Sequence, residues 1–276
     1  MPRGSTDVVV VGAGPVGLAT AIGIASRGGS VRVIDRAGAP IDKACGEGIM
    51  PHGVEALERL GVDPLGCGGR PFRGIRYVDG ARRVEGHFPA RSGVAVRRTV
   101  LQRLLLDRAR EAGAQVELGL VVRGLVRRGH TVRGVRTDAG ERRARWIVGA
   151  DGARSGLRRW SGLDRGSRGG RFGMRRHYAV APWSDLVEVH WTDGCEAYVT
   201  PVGRGEIGVA MLWEGYKAGF DQHLARFPAL AARLAGATVS SRDRGAGPLE
   251  QRVRAVAAGR VALVGDASGY IDAITG

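Results

Sequence analysis

The sequence is poor in cysteine, lysine and aromatic residues, and it has no long apolar run. Its three cysteines, Cys45, Cys67 and Cys195, are far apart and odd in number, which suits neither a disulfide framework nor a clustered zinc site. Free thiols in a reducing compartment are predicted, and no metal site. No stretch of about 18 uncharged apolar residues occurs, so no stable membrane span is expected. The first apolar run, residues 8–11, lies too close to Gly12 and Gly14 to be the core of a signal peptide, and a cytoplasmic protein is predicted. Lysine is confined to Lys43 and Lys217, so the net charge of +15 is carried almost wholly by arginine. Those arginines are spread along the chain without interleaved aromatics. They read as a solvated surface rather than a nucleic-acid patch, although such a field favours anionic cofactors.

What is present suits a folded enzyme. A chain of 276 residues, 43% of them hydrophobic, can bury the core of one large α/β domain or two intimate ones. Residues 6–11 form a β-branched run without alternation, as expected of a parallel strand buried on both faces. A helix over residues 15–27 follows, closed by Gly28 and Gly29, and then a strand over 31–34. This β-α-β unit opens a Rossmann-like sheet. A helix is expected over 99–112 and a strand over 116–118. A meander of exposed antiparallel strands is expected over 121–147, and a loop over 165–171. Residues 172–212 look β-rich, and 261–264 return to the buried-strand pattern.

These signals predict an α/β fold in which a discontinuous Rossmann-like dinucleotide domain (1–70, 96–165 and 251–276) is interrupted by a β-rich substrate domain (a hairpin at 71–95, and 166–250). The dinucleotide reading rests on Gly12-Ala13-Gly14-Pro15-Val16-Gly17, which ends a strand and opens a helix. Gly12 permits the tight turn, Gly14 lets backbone approach a pyrophosphate, and Gly17 allows close packing of helix on strand. The helix N-terminus offers unpaired N–H groups to phosphate. Asp35, with Arg36 after it, ends the second strand, where a carboxylate can accept from an adenosine ribose. This turn does not separate FAD from NAD.

Three further motifs do. Gly149-Ala150-Asp151-Gly152-Ala153-Arg154-Ser155-Gly156-Leu157-Arg158, Gly265-Asp266-Ala267-Ser268-Gly269 and Lys43-Ala44-Cys45-Gly46-Glu47-Gly48 stand in an order and spacing that resembles flavoproteins built like the aromatic hydroxylases. The third motif is similar to that of their geranylgeranyl-reductase-like branch. The resemblance implies FAD as cofactor, with Asp266 on its ribityl chain and Asp151, Gly152 and Arg158 near the pyrophosphate and the path of a nicotinamide donor. Arg98, at a helix start, matches a position at which the family's Arg approaches FAD. Cys45 and Gly46 are implied to lie beside the flavin. Taken singly, each has a plainer reading: Asp151-Gly152 as a turn, Gly265-Asp266 as a strand end before a helix cap, Arg98 as an exposed helix-start residue, Cys45 as a small hydrophobe.

No histidine stands in a motif that invites acid-base chemistry, and His52 is expected to begin a helix. The catalytic residues are therefore left unnamed. The tryptophan-rich signature of flavin halogenases is not visible around Trp183 and Trp191. The resemblance implies an FAD-dependent oxidoreductase using NAD(P)H on a small apolar or aromatic substrate, foremost as a monooxygenase. The alternatives are an alkene reductase like the geranylgeranyl reductases, or a truncated FAD-binding protein without catalysis. The last is kept because Ala273 stands where the family has Pro and the chain ends at Gly276.

Overall fold

The computed structural model describes residues 6–167, 169–215 and 218–272. Strand β1 (Thr6–Val11) buries Val10 on one face and Val9 and Val11 on the other. Helix α1 (Pro15–Ala25) returns the chain to strand β2 (Val31–Asp35), which lies parallel to β1. The parallel sheet runs in the order Val261–Leu263, Gly140–Gly149, β1, β2, Gln115–Leu118. One face is covered by α1 and by the helix Arg98–Glu111, where Leu18, Ile22, Leu105 and Ala109 meet Val10 and Val33. On the other face Val132, Val135 and Leu157 pack on Val9, Ile34 and Ile147. A strand buried on both sides needs apolar residues in sequence rather than in alternation, which is why β1 reads as a continuous run.

The expected meander forms in part. Strands Val122–Arg128 and Thr131–Thr137 pair antiparallel, and Thr137 turns into Gly140–Gly149. That last strand is longer than expected and does two jobs: Gly140–Arg143 continues the meander, while Ile147–Gly149 enters the parallel sheet between β1 and Val261–Leu263. The loop expected over 165–171 begins instead with a short strand, Asp164–Gly166, paired with Arg252–Val253; Arg168 lies outside the described residues.

The β-rich material forms a second sheet, with Phe172–Ala179, Glu206–Trp213, Cys195–Gly203 and Val187–Thr192 antiparallel in that order. The hairpin Gly74–Asp79/Arg82–His87 joins it in parallel through Val187–Thr192. Alternation then divides each strand between two environments. One face, with Val199, Val209, Met211 and Trp213, packs under the helices Phe220–Leu224 and Pro228–Leu234. The opposite face, through His177 and Thr200, meets the 42–47 segment of the first layer. None of the described helices is long and apolar enough to cross a membrane.

Glu188, on the helix-covered face, is buried and accepts from Arg76 at 2.6 Å, Trp183 at 3.1 Å and His190 at 3.2 Å. Burial alone would raise its carboxyl, but the bonds from His190, Trp183 and Arg76 outweigh it and bring the pKa down to about 2. A carboxyl with its folded pKa below its unfolded one adds stability that is complete above the unfolded value and lost as pH falls toward the folded one. Urea midpoints should therefore fall as pH drops from about 5 to 2, with Glu188 contributing on the order of 3 kcal/mol. Glu188→Gln should lower stability at pH 7 and flatten that limb; an unchanged slope would assign the acid sensitivity to other carboxyls.

Candidate cofactor site

Four neighbouring strands of the parallel sheet end level. Leu263 is in register with Gly149, Gly149 with Val11, and Val11 with Ile34. The chain leaving each strand carries one motif: Gly265-Asp266, Ala150-Asp151-Gly152, Gly12 to Gly17, and Asp35-Arg36. Motifs separated by well over one hundred residues thus line one crevice outside the carboxyl ends of parallel strands, where open α/β sheets bind ligands.

The glycine turn is held tightly from below. At Gly12 (φ +114°) a Cβ would lie 2.2 Å from the Ala150 carbonyl oxygen, and at Gly17 it would lie 1.9 Å from the Gly12 carbonyl oxygen. Gly14 differs: the nearest atom to a Cβ there is a guanidinium nitrogen of Arg98, 3.8 Å away. Gly14 therefore faces outward, toward a cation. Helix α1 begins on Pro15 with no side-chain cap and no acidic residue in its first turn, so nothing of its own competes for the N-terminal N–H groups. Val16, half exposed on that turn, supports Gly265 (φ +59°), whose Cβ would come within 3.1 Å of it.

Asp35 braces this turn: Oδ2 accepts from the Ala13 N–H at 2.7 Å and Oδ1 from the Ala37 N–H at 2.8 Å. Arg36 beside it is exposed. Gln102, wholly buried, reaches the Ala13 carbonyl at 3.4 Å. Asp151 turns back on its own segment, accepting from Ser155 Oγ at 2.5 Å and from the N–H groups of Gly156 and Leu157 at 2.8 and 3.2 Å. Gly152 (φ +81°) sits under the Lys43 amino group, 3.5 Å from where a Cβ would be.

Arg158, implied by the resemblance to lie near the pyrophosphate, is bonded within the protein. It is 2% exposed. Its donors go to Asp164 (2.7 Å), Gln251 (2.6 Å) and the carbonyls of Ala153 (2.7 Å), Asp266 (3.4 Å) and Ala267 (3.3 Å). Five N–H groups make five internal bonds and none is left for a ligand. It is a positioning residue that fastens the 265–268 turn to the Asp151 loop. The Asp266 carboxylate, by contrast, is exposed and makes no hydrogen bond among the described residues. Tyr270 lies close to it: burial, then the charges of Asp266, Asp272 and Cys45, push its phenol up to about 12.

The third motif crosses to the second sheet. Gly46 accepts from Thr200 Oγ1 at 2.8 Å, and Cys45 Sγ accepts from the Glu47 N–H at 3.4 Å. Glu47 is a non-glycine residue at φ +61°, buried, with one carboxylate oxygen on the Arg98 N–H (2.7 Å) and the other on His177 Nε2 (2.5 Å). His177 is fully buried. Glu47, His177 and Tyr270 were not expected as site residues. Glu47 lies inside the Lys43 to Gly48 motif, whereas His177 carries no local signal.

The arrangement fits an FAD by its own chemistry. Arg98 Nε is buried without a partner among the described residues, its guanidinium faces the outward side of Gly14, and the uncapped start of α1 lies in the same cradle. Those are the donors an anionic pyrophosphate requires. The fit extends to Asp266, a free acceptor for hydroxyl groups. The departure at Ala273 lies outside the described residues. Among the described residues no group of three His, Cys, Asp or Glu could hold a metal.

Comparison with known proteins agrees with the geometry. The model of the FAD binding domain family matches residues 5–210. The chain is similar to the menaquinone reductase of Mycobacterium tuberculosis, 34% identical over 225 residues, covering 75% of this chain and 55% of that protein. It thus spans about half the length of that relative. It is also similar to digeranylgeranylglycerophospholipid reductase 1 of Methanothermobacter thermautotrophicus, 26% identical over 98% of this chain and 72% of that one. Among solved structures, the flavin-dependent brominase Bmp2 shares the fold, with a TM-score of 0.87 at 20% identity over 98% of this chain and 74% of that one.

Proposed function

The chain belongs to the FAD binding domain family, and from that premise we propose that it is the FAD-holding body of an oxidoreductase that reduces an apolar, unsaturated substrate with electrons from NAD(P)H. The observation that carries the cofactor half is the level ending of four motif-bearing strands around an outward Gly14 and Arg98, whose Nε has no partner among the described residues. In this reading α1 and Arg98 hold the pyrophosphate, Asp35 accepts from the ribose with lone pairs left over from its backbone bonds, and Asp266 accepts from the ribityl chain. Cys45 and Gly46 line the flavin side of the substrate space. FAD, when bound, supplies the redox chemistry. The protein orients the partners and keeps water out.

Reduction rather than hydroxylation is favoured by the similarity to a menaquinone reductase and a digeranylgeranylglycerophospholipid reductase. The sheet face opposite the helices also suits an apolar substrate: Val187, Val189, Trp191 and Tyr77 share it with Tyr198. The balance is one hydride and one proton added to the substrate for each NAD(P)H oxidised. Purified protein given FAD should turn yellow with the visible flavin band and bind it tightly. Under anaerobic conditions with NAD(P)H and a prenylated quinone, the product should gain two hydrogens. A folded, colourless protein that ignores added FAD would sink the cofactor assignment. Turnover that needs oxygen and adds one oxygen atom to the substrate would replace reduction by hydroxylation.

A further inference from the structure

A chain of buried polar groups runs from the second sheet to the cofactor cradle. Asp42, in the segment before Cys45, takes an ion pair from Arg175 and a bond from Arg244 at 2.9 Å. Burial works against its charge, but Arg244 and Arg175 hold its carboxyl below the ordinary range. Arg175, wholly buried, also donates to His177 Nδ1 at 2.9 Å. His177 Nε2 meets Glu47, and Glu47 caps the Arg98 N–H at the start of the helix Arg98–Glu111. Gly208 leaves the room: a Cβ there would lie 3.1 Å from Glu47 Oε2 and 3.4 Å from the His177 ring.

The chain has a direction. Guanidinium only donates, so Nδ1 of His177 must accept. Ser241 agrees: its Oγ accepts from the His177 N–H at 3.1 Å, so its own proton is free for Nδ1 at 2.8 Å. The ring proton therefore sits on Nε2 and points at Glu47. Glu47 accepts at both oxygens, from the imidazole and from the helix N-terminus, where a negative charge is favoured. Glu47 holds a left-handed conformation, and the residue whose N–H it accepts from is Arg98, whose guanidinium faces Gly14.

We propose that Glu47 and His177 form a positioning dyad that sets Arg98 against the glycine turn, so that the substrate-side sheet controls how tightly the cradle holds FAD. The dyad rests on the FAD reading for its consequence, not for its geometry. Glu47→Gln keeps size but only one acceptor: whichever way the amide turns, its NH2 faces either the Arg98 N–H or the protonated Nε2, and the ring could accept only by moving its proton to Nδ1, against Arg175. His177→Gln keeps the polarity, with an amide to donate to Glu47 and a carbonyl to accept from Arg175. His177→Leu keeps neither.

The test measures FAD affinity by quenching of flavin fluorescence, with circular dichroism to establish folding, and reads the His177 ring by nitrogen NMR. Glu47→Gln and His177→Leu should weaken FAD binding by about tenfold or more, while His177→Gln stays within about threefold of wild type. Equal affinities for wild type, Glu47→Gln and His177→Leu, or a His177→Gln as weak as His177→Leu, would overturn the proposal. The wild-type ring needs no variant: a proton found on Nδ1 overturns it too. If the wild type takes up no FAD, the flavin reading fails alone. The dyad is then judged by the ring proton and by the Arg98 amide, whose hydrogen exchange should quicken in Glu47→Gln.

Discussion

Gly14→Ala should fold with wild-type stability and bind FAD about 10- to 100-fold more weakly, whereas Gly12→Ala should damage the fold itself. The two positions are two residues apart in one turn, and the difference lies in what a methyl group would meet. At Gly12 it meets the Ala150 carbonyl oxygen at 2.2 Å with φ at +114°. Strain of the left-handed backbone and overpacking together come to about 3 kcal/mol or more. At Gly14 it meets no protein atom closer than 3.8 Å, and the helix boundary there is extended backbone that alanine adopts without strain. What Gly14→Ala does obstruct is close approach of a ligand to backbone N–H groups, which costs about 1–3 kcal/mol of binding. Urea denaturation of both apo-proteins, with FAD titration of whichever folds, separates the two effects. Gly14→Ala binding FAD as well as wild type would remove the pyrophosphate from this turn.

What was legible in the sequence is what local chemistry dictates. The β1 run, the Gly12 to Gly17 turn and the start of α1 at Pro15 follow from burial on both faces, from glycine's access to positive φ and from proline's tolerance at a first helical position. The Asp151 and Gly265 motifs could be found by pattern, but not their mutual placement. That depends on register between strands distant in sequence. The double use of Gly140–Gly149 was hidden for the same reason: half its length is exposed and half buried on both sides, so no single period describes it. His177 and Glu47 are 130 residues apart and meet only because one sheet packs on one loop. Alternation sends His177, Arg175, Thr200 and Tyr198 to the face toward the loop, while Val199, Val209, Met211 and Trp213 pack under the helices.

Arg158 belongs to a motif implied to lie near the pyrophosphate, yet it is bonded internally, and its substitution should separate a phosphate contact from a structural clasp. As a phosphate ligand, Arg158→Lys would keep the fold and lose some FAD affinity. As the buried clasp seen here, both Arg158→Lys and Arg158→Ala should be destabilised, because one ammonium cannot serve Asp164, Gln251 and three carbonyls at once. Removing one partner of a buried, hydrogen-bonded ion pair typically costs about 3–5 kcal/mol. Asp164 is partly exposed and can recover some hydration, so about 3 kcal/mol is expected for Arg158→Ala. The loss should be visible without cofactor, as a fall in the urea midpoint of the apo-protein. FAD affinity should fall as well, since the clasp holds the backbone of Asp266 and Ala267. An Arg158→Lys apo-protein as stable as wild type would return Arg158 to the phosphate. Either result also bears on the crevice: strands ending level bring the Asp151 and Gly265 motifs near each other, but it is Arg158, bonded to both loops, that holds Asp266 at the rim with its carboxylate outward.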